Sequence, residues 1–187
     1  MAALGKRENA HSLIQQAIAT ARESGNPEAL GRALLNLGVL AAGEGDFERA
    51  AELSEQSLRE GGDALAARVR ATALVNLANA RTRLGDVRRG AESAREALEV
   101  ALAHGQTSLV AASFEMLADA EVARDPARAV RLLGAAAALM EEIGERLDAD
   151  TVAAVRAAVH AETYERAFAE GRGLSIDDAV ELALGLD

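Results

Sequence analysis

Apolar residues fall at helical spacing along almost the whole chain, and the pattern returns after about forty residues. Ala33, Leu34, Leu35, Asn36, Leu37 and Gly38 come back as Ala73, Leu74, Val75, Asn76, Leu77 and Ala78. Gly45, Asp46, Arg49, Ala51, Glu52 and Leu58 come back as Gly85, Asp86, Arg89, Ala91, Glu92 and Leu98. A fixed period of this length marks a stacked array, in which each unit buries its apolar face against its neighbours. Helices are predicted near 6–24, 27–43, 47–60, 64–84, 87–104, 107–123 and 127–143, then near 149–159, 161–171 and 176–185. Their punctuation has a physical basis. Asn26-Pro27-Glu28 supplies an N-cap, a proline at the first helical position and a first-turn acid, and Asp125-Pro126 repeats the device. Gly45-Asp46 and Gly85-Asp86 mark tight turns between helices, and Ser175-Ile176-Asp177-Asp178 resembles a capping box.

Composition agrees with an all-α chain. Of 187 residues 45 are alanine, only 2% are aromatic, and two are proline, so helix propensity is high nearly everywhere. No β-branched, alternating run competes. Cysteine is absent, which removes disulfides, thiolate metal sites and thiol nucleophiles, and a reducing cytoplasmic setting is expected. Neither a signal-peptide core at the N-terminus nor a membrane span is visible, so no membrane contact is expected. Charge is uneven. Residues 1–100 carry 13 basic and 14 acidic side chains, whereas residues 101–187 carry 7 and 16. The acidic second half should repel phosphate backbones. A locally basic stretch in the first half (Arg68, Arg70, Arg81, Arg83, Arg88, Arg89 and Arg95) is read as solvated helix faces and turn contacts, and no nucleic-acid binding is expected.

The repeated residues carry a resemblance. Leu37-Gly38, Gly45-Asp46-Phe47, Ala50 and Ser57-Leu58 resemble the tetratricopeptide repeat, and Leu77-Ala78, Gly85-Asp86-Val87, Gly90 and Ala97-Leu98 match it again. A third copy runs through Leu117-Ala118, Asp125-Pro126, Ala129 and Ala136 after a one-residue deletion. Small residues recur where two helices cross closely, because a large side chain would hold the backbones apart. The resemblance implies a TPR-like right-handed superhelix of antiparallel hairpins over 1–147. Residues 148–187 leave the repeat spacing and are expected to cap it, with Phe168, Leu174, Ile176 and Val180 as apolar contacts. The family's usual repeat is about 34 residues; the extra length here adds roughly 4.5 Å to each helix.

Carried back forty residues, the register aligns Gly5, Ala10, Leu13, Ala17 and Ile18 with Gly45, Ala50, Leu53, Ser57 and Leu58. The chain is therefore expected to begin in the second helix of a repeat. Excision from a longer protein is favoured over burial of that face in a homodimer. The segment from Pro126 through Gly134 to Ile143-Gly144, with Tyr164 to Ser175 and Asp178-Ala179-Val180, is similar to the closing repeats of large ATP-binding bacterial transcriptional regulators, LuxR-type and related.

No catalytic chemistry is legible. His11, His104 and His160 lack metal-ligand spacing, so no metal is expected. Gly171-Arg172-Gly173 follows a helix rather than a strand and reads as a helix stop. Lys6 is the only lysine, which rules out an ordinary P-loop, and no nucleophile-elbow motif occurs. Acids near arginines, as in Glu48-Arg49 and Glu92-Arg95, read as solvated pairs. Neither an enzyme nor a cofactor is expected.

In arrays of this kind first helices line an inner groove. Counting within the repeat places Arg32, Asn36, Val39, Thr72, Asn76, Asn79, Arg83, Met116 and Asp119 on it. An amide can both donate to and accept from a peptide main chain. The resemblance implies that role for Asn36 and Asn76; bonding between neighbouring helices is the alternative. The expected function is a non-catalytic module of a larger regulator that receives a protein, a peptide, a small-molecule signal or a neighbouring domain. A free-standing homodimeric adaptor is the alternative.

Overall fold

The computed structural model describes residues 2–185, with side chains described from residue 9 onward. The register through Gly5 lies outside the described side chains. Among the described residues the protein is all-α. Its helices are α1 (Ala2–Glu23), α2 (Pro27–Gly43), α3 (Phe47–Gly61), α4 (Ala67–Arg83), α5 (Val87–Ala103), α6 (Thr107–Glu121), α7 (Pro126–Glu142), α8 (Ala149–Ala157), α9 (Ala161–Arg172) and α10 (Ile176–Leu184).

Local chemistry sets these boundaries. The carboxylates of Asp46, Asp86, Asp125 and Asp148 and the amide oxygen of Asn26 each accept a backbone N–H three residues on, satisfying donors that a helix start leaves free. Gly45 and Gly85 close the two equivalent turns at φ of 81° and 85°, a region that favours glycine. One predicted boundary shifts: residues 64–66 are not α-helical, because Gly62 (φ 49°) ends α3 and a 3₁₀ turn, Gly62–Ala64, leads through extended Leu65 into α4.

From α1 to α7 consecutive helices pack as neighbours, most extensively within the pairs α2/α3, α4/α5 and α6/α7. The first helices of the pairs also touch, α2 to α4 and α4 to α6, and form a row. Small residues hold each crossing at equivalent register. Gly38 meets Ala50, Gly90 meets Ala78 and Gly31 meets Ser57; at the same register in the other pairs Ala71, Ala97, Ala111, Ala118, Ala129 and Ala136 are fully buried. A Cβ on Gly90 would come within 3.1 Å of the Ala78 carbonyl oxygen, so the close approach is real. Ser57 Oγ donates to the Gly31 carbonyl at 2.6 Å, which satisfies a buried hydroxyl inside the crossing.

The core divides into a smaller cluster under α1–α4 and a larger one under α4–α10, whose largest fully buried side chain is Phe114. Among the described side chains of α1 only Ile18 and Ala21 are buried; Leu13 is 57% exposed and Ala17 is exposed, although their register partners Leu53 and Ser57 are buried. An apolar face of α1 is therefore uncovered.

Beyond α7 the packing changes. Helix α9 lies across α7, while the short α8 bridges α6 and α7. Phe168, Leu174 and Val180 join the large core, as the sequence predicts, but Ile176 does not: it opens the first turn of α10 and is 46% exposed. Tyr164, Val155, Leu182 and Ala183 fill the cap instead. The Gly171-Arg172-Gly173 stretch does stop a helix, though the first glycine has a second task. It sits buried inside α9 at the crossing with α7, and the helix ends at Arg172 with Gly173 as its cap.

Most of the basic stretch is spent internally. Arg81 pairs with Glu55 at 2.9 Å and Ser93 at 2.6 Å, Arg70 donates to the Gly62 carbonyl, and Arg88 and Arg89 pair with Glu92 and Asp86. Arg95 reaches buried Glu121 at 3.5 Å rather than Glu92. Arg49 likewise pairs with Glu52, not Glu48. Among the described residues no helix is long and apolar enough to cross a membrane.

Candidate functional site

The row of first helices does not stay flat. Helix α8 folds back onto α6, and a cavity of about 640 Å³ opens between them, bounded by α4 and by the turn from α2 to α3. Of the nine predicted inner positions, Asn76, Asn79, Arg83, Met116 and Asp119 line it. The other four do not. Arg32, Asn36 and Val39 stand on the exposed face of α2, with Val39 50% exposed, and Thr72 is occupied by a 2.7 Å bond from its hydroxyl to the Arg68 carbonyl. The equivalent pair Asn36 and Asn76 therefore divides between open surface and cavity wall.

Glu115 is the residue that sequence counting missed. It is only 5% exposed and stands at the register occupied by Leu35 and Val75 in the two preceding repeats. Its Oε1 accepts the backbone N–H of Asp148 at 2.7 Å. Asp148 in turn caps α8 by accepting the Thr151 N–H at 2.9 Å. A buried acid thus fastens the start of α8 to α6. Burial pushes the Glu115 carboxyl up to about 7; the Asp148 N–H bond lowers it, and the Asp148 charge raises it again. Asp119, one turn further along α6, is also raised by burial, with the Arg83 guanidinium acting in the opposite direction.

Arg83 lies 5.2 Å from the centroid of the Phe47 ring, a cation–π contact that holds its guanidinium at the cavity edge. Asn76 Nδ2 is buried and has no hydrogen-bond partner among the described residues. A buried donor without an acceptor costs about 1–3 kcal/mol. The cavity presents acceptors in excess, one fixed cation and an apolar floor from Val75 and Met116. His11, His104 and His160 are exposed and separate from the cavity.

The chain is similar to described HTH-type transcriptional regulators of Mycobacterium bovis and Mycobacterium tuberculosis, at 31% identity over 217 aligned positions. The match covers 93% of this chain and 24% of each relative, so the chain spans about a quarter of the length of the curated relatives it matches. No family model and no solved structure matches the chain.

Proposed function

We propose that the chain is a non-catalytic recognition module of a larger bacterial transcriptional regulator, built as a TPR-like right-handed superhelix over residues 1–147 with a helical cap over 148–187. It binds a peptide or a segment of a neighbouring domain in the cavity between α4, α6 and α8. The convergence of Asn76, Asn79, Arg83, Met116 and Asp119 on one cavity carries this reading. Repeat register alone selected those residues, and a shared cavity is what a groove requires. Similarity along almost the whole chain to regulators about four times its length supports a part-of-a-whole role.

Panning a phage-displayed library of random dodecapeptides against the chain tests the proposal. The expected result is an enriched consensus whose affinity falls about tenfold in Asn76→Ala, roughly the value of one buried hydrogen bond, with helicity unchanged. Absence of any consensus, or equal binding by the variant, would remove the groove reading.

A homodimeric adaptor is the second reading, favoured by the uncovered Leu13 and Ala17 face of α1. Light scattering decides it. A dimer that Leu13→Glu returns to monomer is expected on this reading, and a parent chain that is monomeric at all concentrations rejects it.

A further inference from the structure

We infer that two ion pairs of opposite polarity fix the order in which the repeats stack. Arg81 of α4 donates to the Glu55 carboxylate of α3 at 2.9 Å, and Arg95 of α5 donates to the Glu121 carboxylate of α6 at 3.5 Å. Each pair spans 26 residues and joins the second helix of one repeat to the first helix of the next. Both occupy the same register, one forty-residue step apart, with acid and base exchanged. At the α1/α2 junction that register holds Gln15 and Ala41, which line a small cavity of about 180 Å³. The three junctions therefore carry three chemistries at one position: neutral, acid-to-base and base-to-acid.

The apolar packing creates the need for such marks. Leu34, Leu74 and Phe114 recur in register on the first helices, as do Leu37, Leu77 and Leu117, and all are buried. The small residues at the crossings are likewise interchangeable. Shape alone would let a second helix accept the wrong first helix, and misassembly and domain swapping are characteristic failures of repeat proteins. Charge removes that freedom. With α3 laid on α6, Glu55 would face Glu121; with α5 laid on α4 of another copy, Arg95 would face Arg81. The first-helix members are the shielded ones, with side chains 16% exposed at Arg81 and 7% at Glu121. A shielded charge that loses its partner and meets its own sign is strongly disfavoured, which is discrimination by repulsion. Neighbouring groups hold each polarity in place: Ser93 accepts from Arg81 at 2.6 Å, and Arg124 meets Glu121 at 2.9 Å. Exposed pairs within one helix, such as Arg49 with Glu52, join no repeats and carry no such information.

Charge exchange at constant net charge tests the inference. Glu55→Arg alone sets two cations together and should lower the melting temperature by about 4 °C or more. Adding Arg81→Glu restores an opposite pair and should return melting to within about 2 °C of the parent. Both charged junctions of this double variant now read base-to-acid, so its α3 suits α6 as well as α4. On refolding from urea it should leave at least about twice the parent's fraction in larger species by light scattering. Exchanging the second pair too, with Arg95→Glu and Glu121→Arg, makes the junctions differ again, and this fourfold variant should melt and refold as the parent does. A double variant that refolds as the parent does leaves two stabilising pairs and overturns the ordering role. Unchanged melting in Glu55→Arg overturns the pairing itself. If the double variant fails to fold while the fourfold variant folds, alternation of polarity is required and the inference stands; failure of both overturns it.

Discussion

Glu115→Gln is expected to be more stable than the parent at pH 8 by about 2 kcal/mol, and nearly equal to it at about pH 4. The Glu115 carboxyl rises from an ordinary 4.5 to about 7 in the folded chain, chiefly through burial. A raised carboxyl favours the folded state while it stays protonated. Its contribution is complete below pH 4.5, falls as the unfolded chain ionises and the folded chain does not, and is lost once pH passes about 7. A shift of this size corresponds to about 3 kcal/mol, reduced here because the carboxylate retains some solvent access through the cavity.

Glutamine is neutral at every pH and keeps an oxygen for the Asp148 N–H, so it removes the ionisation cost without orphaning the donor. Glu115→Ala removes both and should recover less. In a chain of this length the gain should read as roughly 4–8 °C in the melting temperature. Asp119 is raised by the same burial and remains in the variant, and the charges facing Glu115 across the cavity (Arg83, Asp148, Asp150 and Glu44) are unchanged. A residual pH slope is therefore expected, and the difference between the two curves isolates Glu115. Superimposable melting curves at pH 8 would mean that Glu115 is not buried as an ionised group.

This acid also marks where sequence reading stops. Helix boundaries were legible to within a few residues because local chemistry writes them: Asn26, Asp46, Asp86, Asp125 and Ser175 each cap a helix start, and glycines with positive φ follow several helix ends. The inner row was legible because the forty-residue register carries a face from one repeat to the next. What register cannot supply is depth. It assigns Arg32, Asn36 and Val39 to the same face as Asn79 and Asp119, yet only the positions beneath α8 are enclosed. The return of α8 onto α6 rests on a contact spanning 33 residues, which no local propensity encodes. A signal did exist: an acid at a position where two earlier repeats carry Leu35 and Val75 breaks the binary pattern, and such breaks concentrate at sites with a task. Ile176 failed for a different reason. Apolar identity in a cap helix says nothing about which turn reaches the core, and the first turn of α10 does not.

Gly171→Ala is expected to destabilise the protein by at least about 2 kcal/mol, although alanine is the better helix former by about 1 kcal/mol. Helices α7 and α9 meet in direct backbone contact through Gly134 and Gly171. A Cβ on Gly171 would lie 2.7 Å from the Arg131 carbonyl carbon and 2.8 Å from its Cα, and closer still to its carbonyl oxygen. These are main-chain atoms of a helix interior, so no side chain can swing aside. Helix α9 must move away, withdrawing Tyr164 and Ala167 from the core, and overpacking of this kind costs about 1–3 kcal/mol or more. Gly173→Ala is the control. Its Cβ would meet nothing nearer than 3.5 Å, and its φ of −89° suits any residue, so its stability should match the parent. Urea denaturation of the three chains checks the difference; equal midpoints for Gly171→Ala and Gly173→Ala would reject backbone contact at this crossing. The loss should also reach the cavity. Arg156 of α8 pairs with Glu165 of α9 at 3.1 Å and lies 5.0 Å from the Tyr164 ring centroid, so α9 anchors the helix whose N-terminus Glu115 holds. Amide exchange at Asp148 should therefore quicken in Gly171→Ala and not in Gly173→Ala, because the helix that α9 steadies also forms a wall of the cavity.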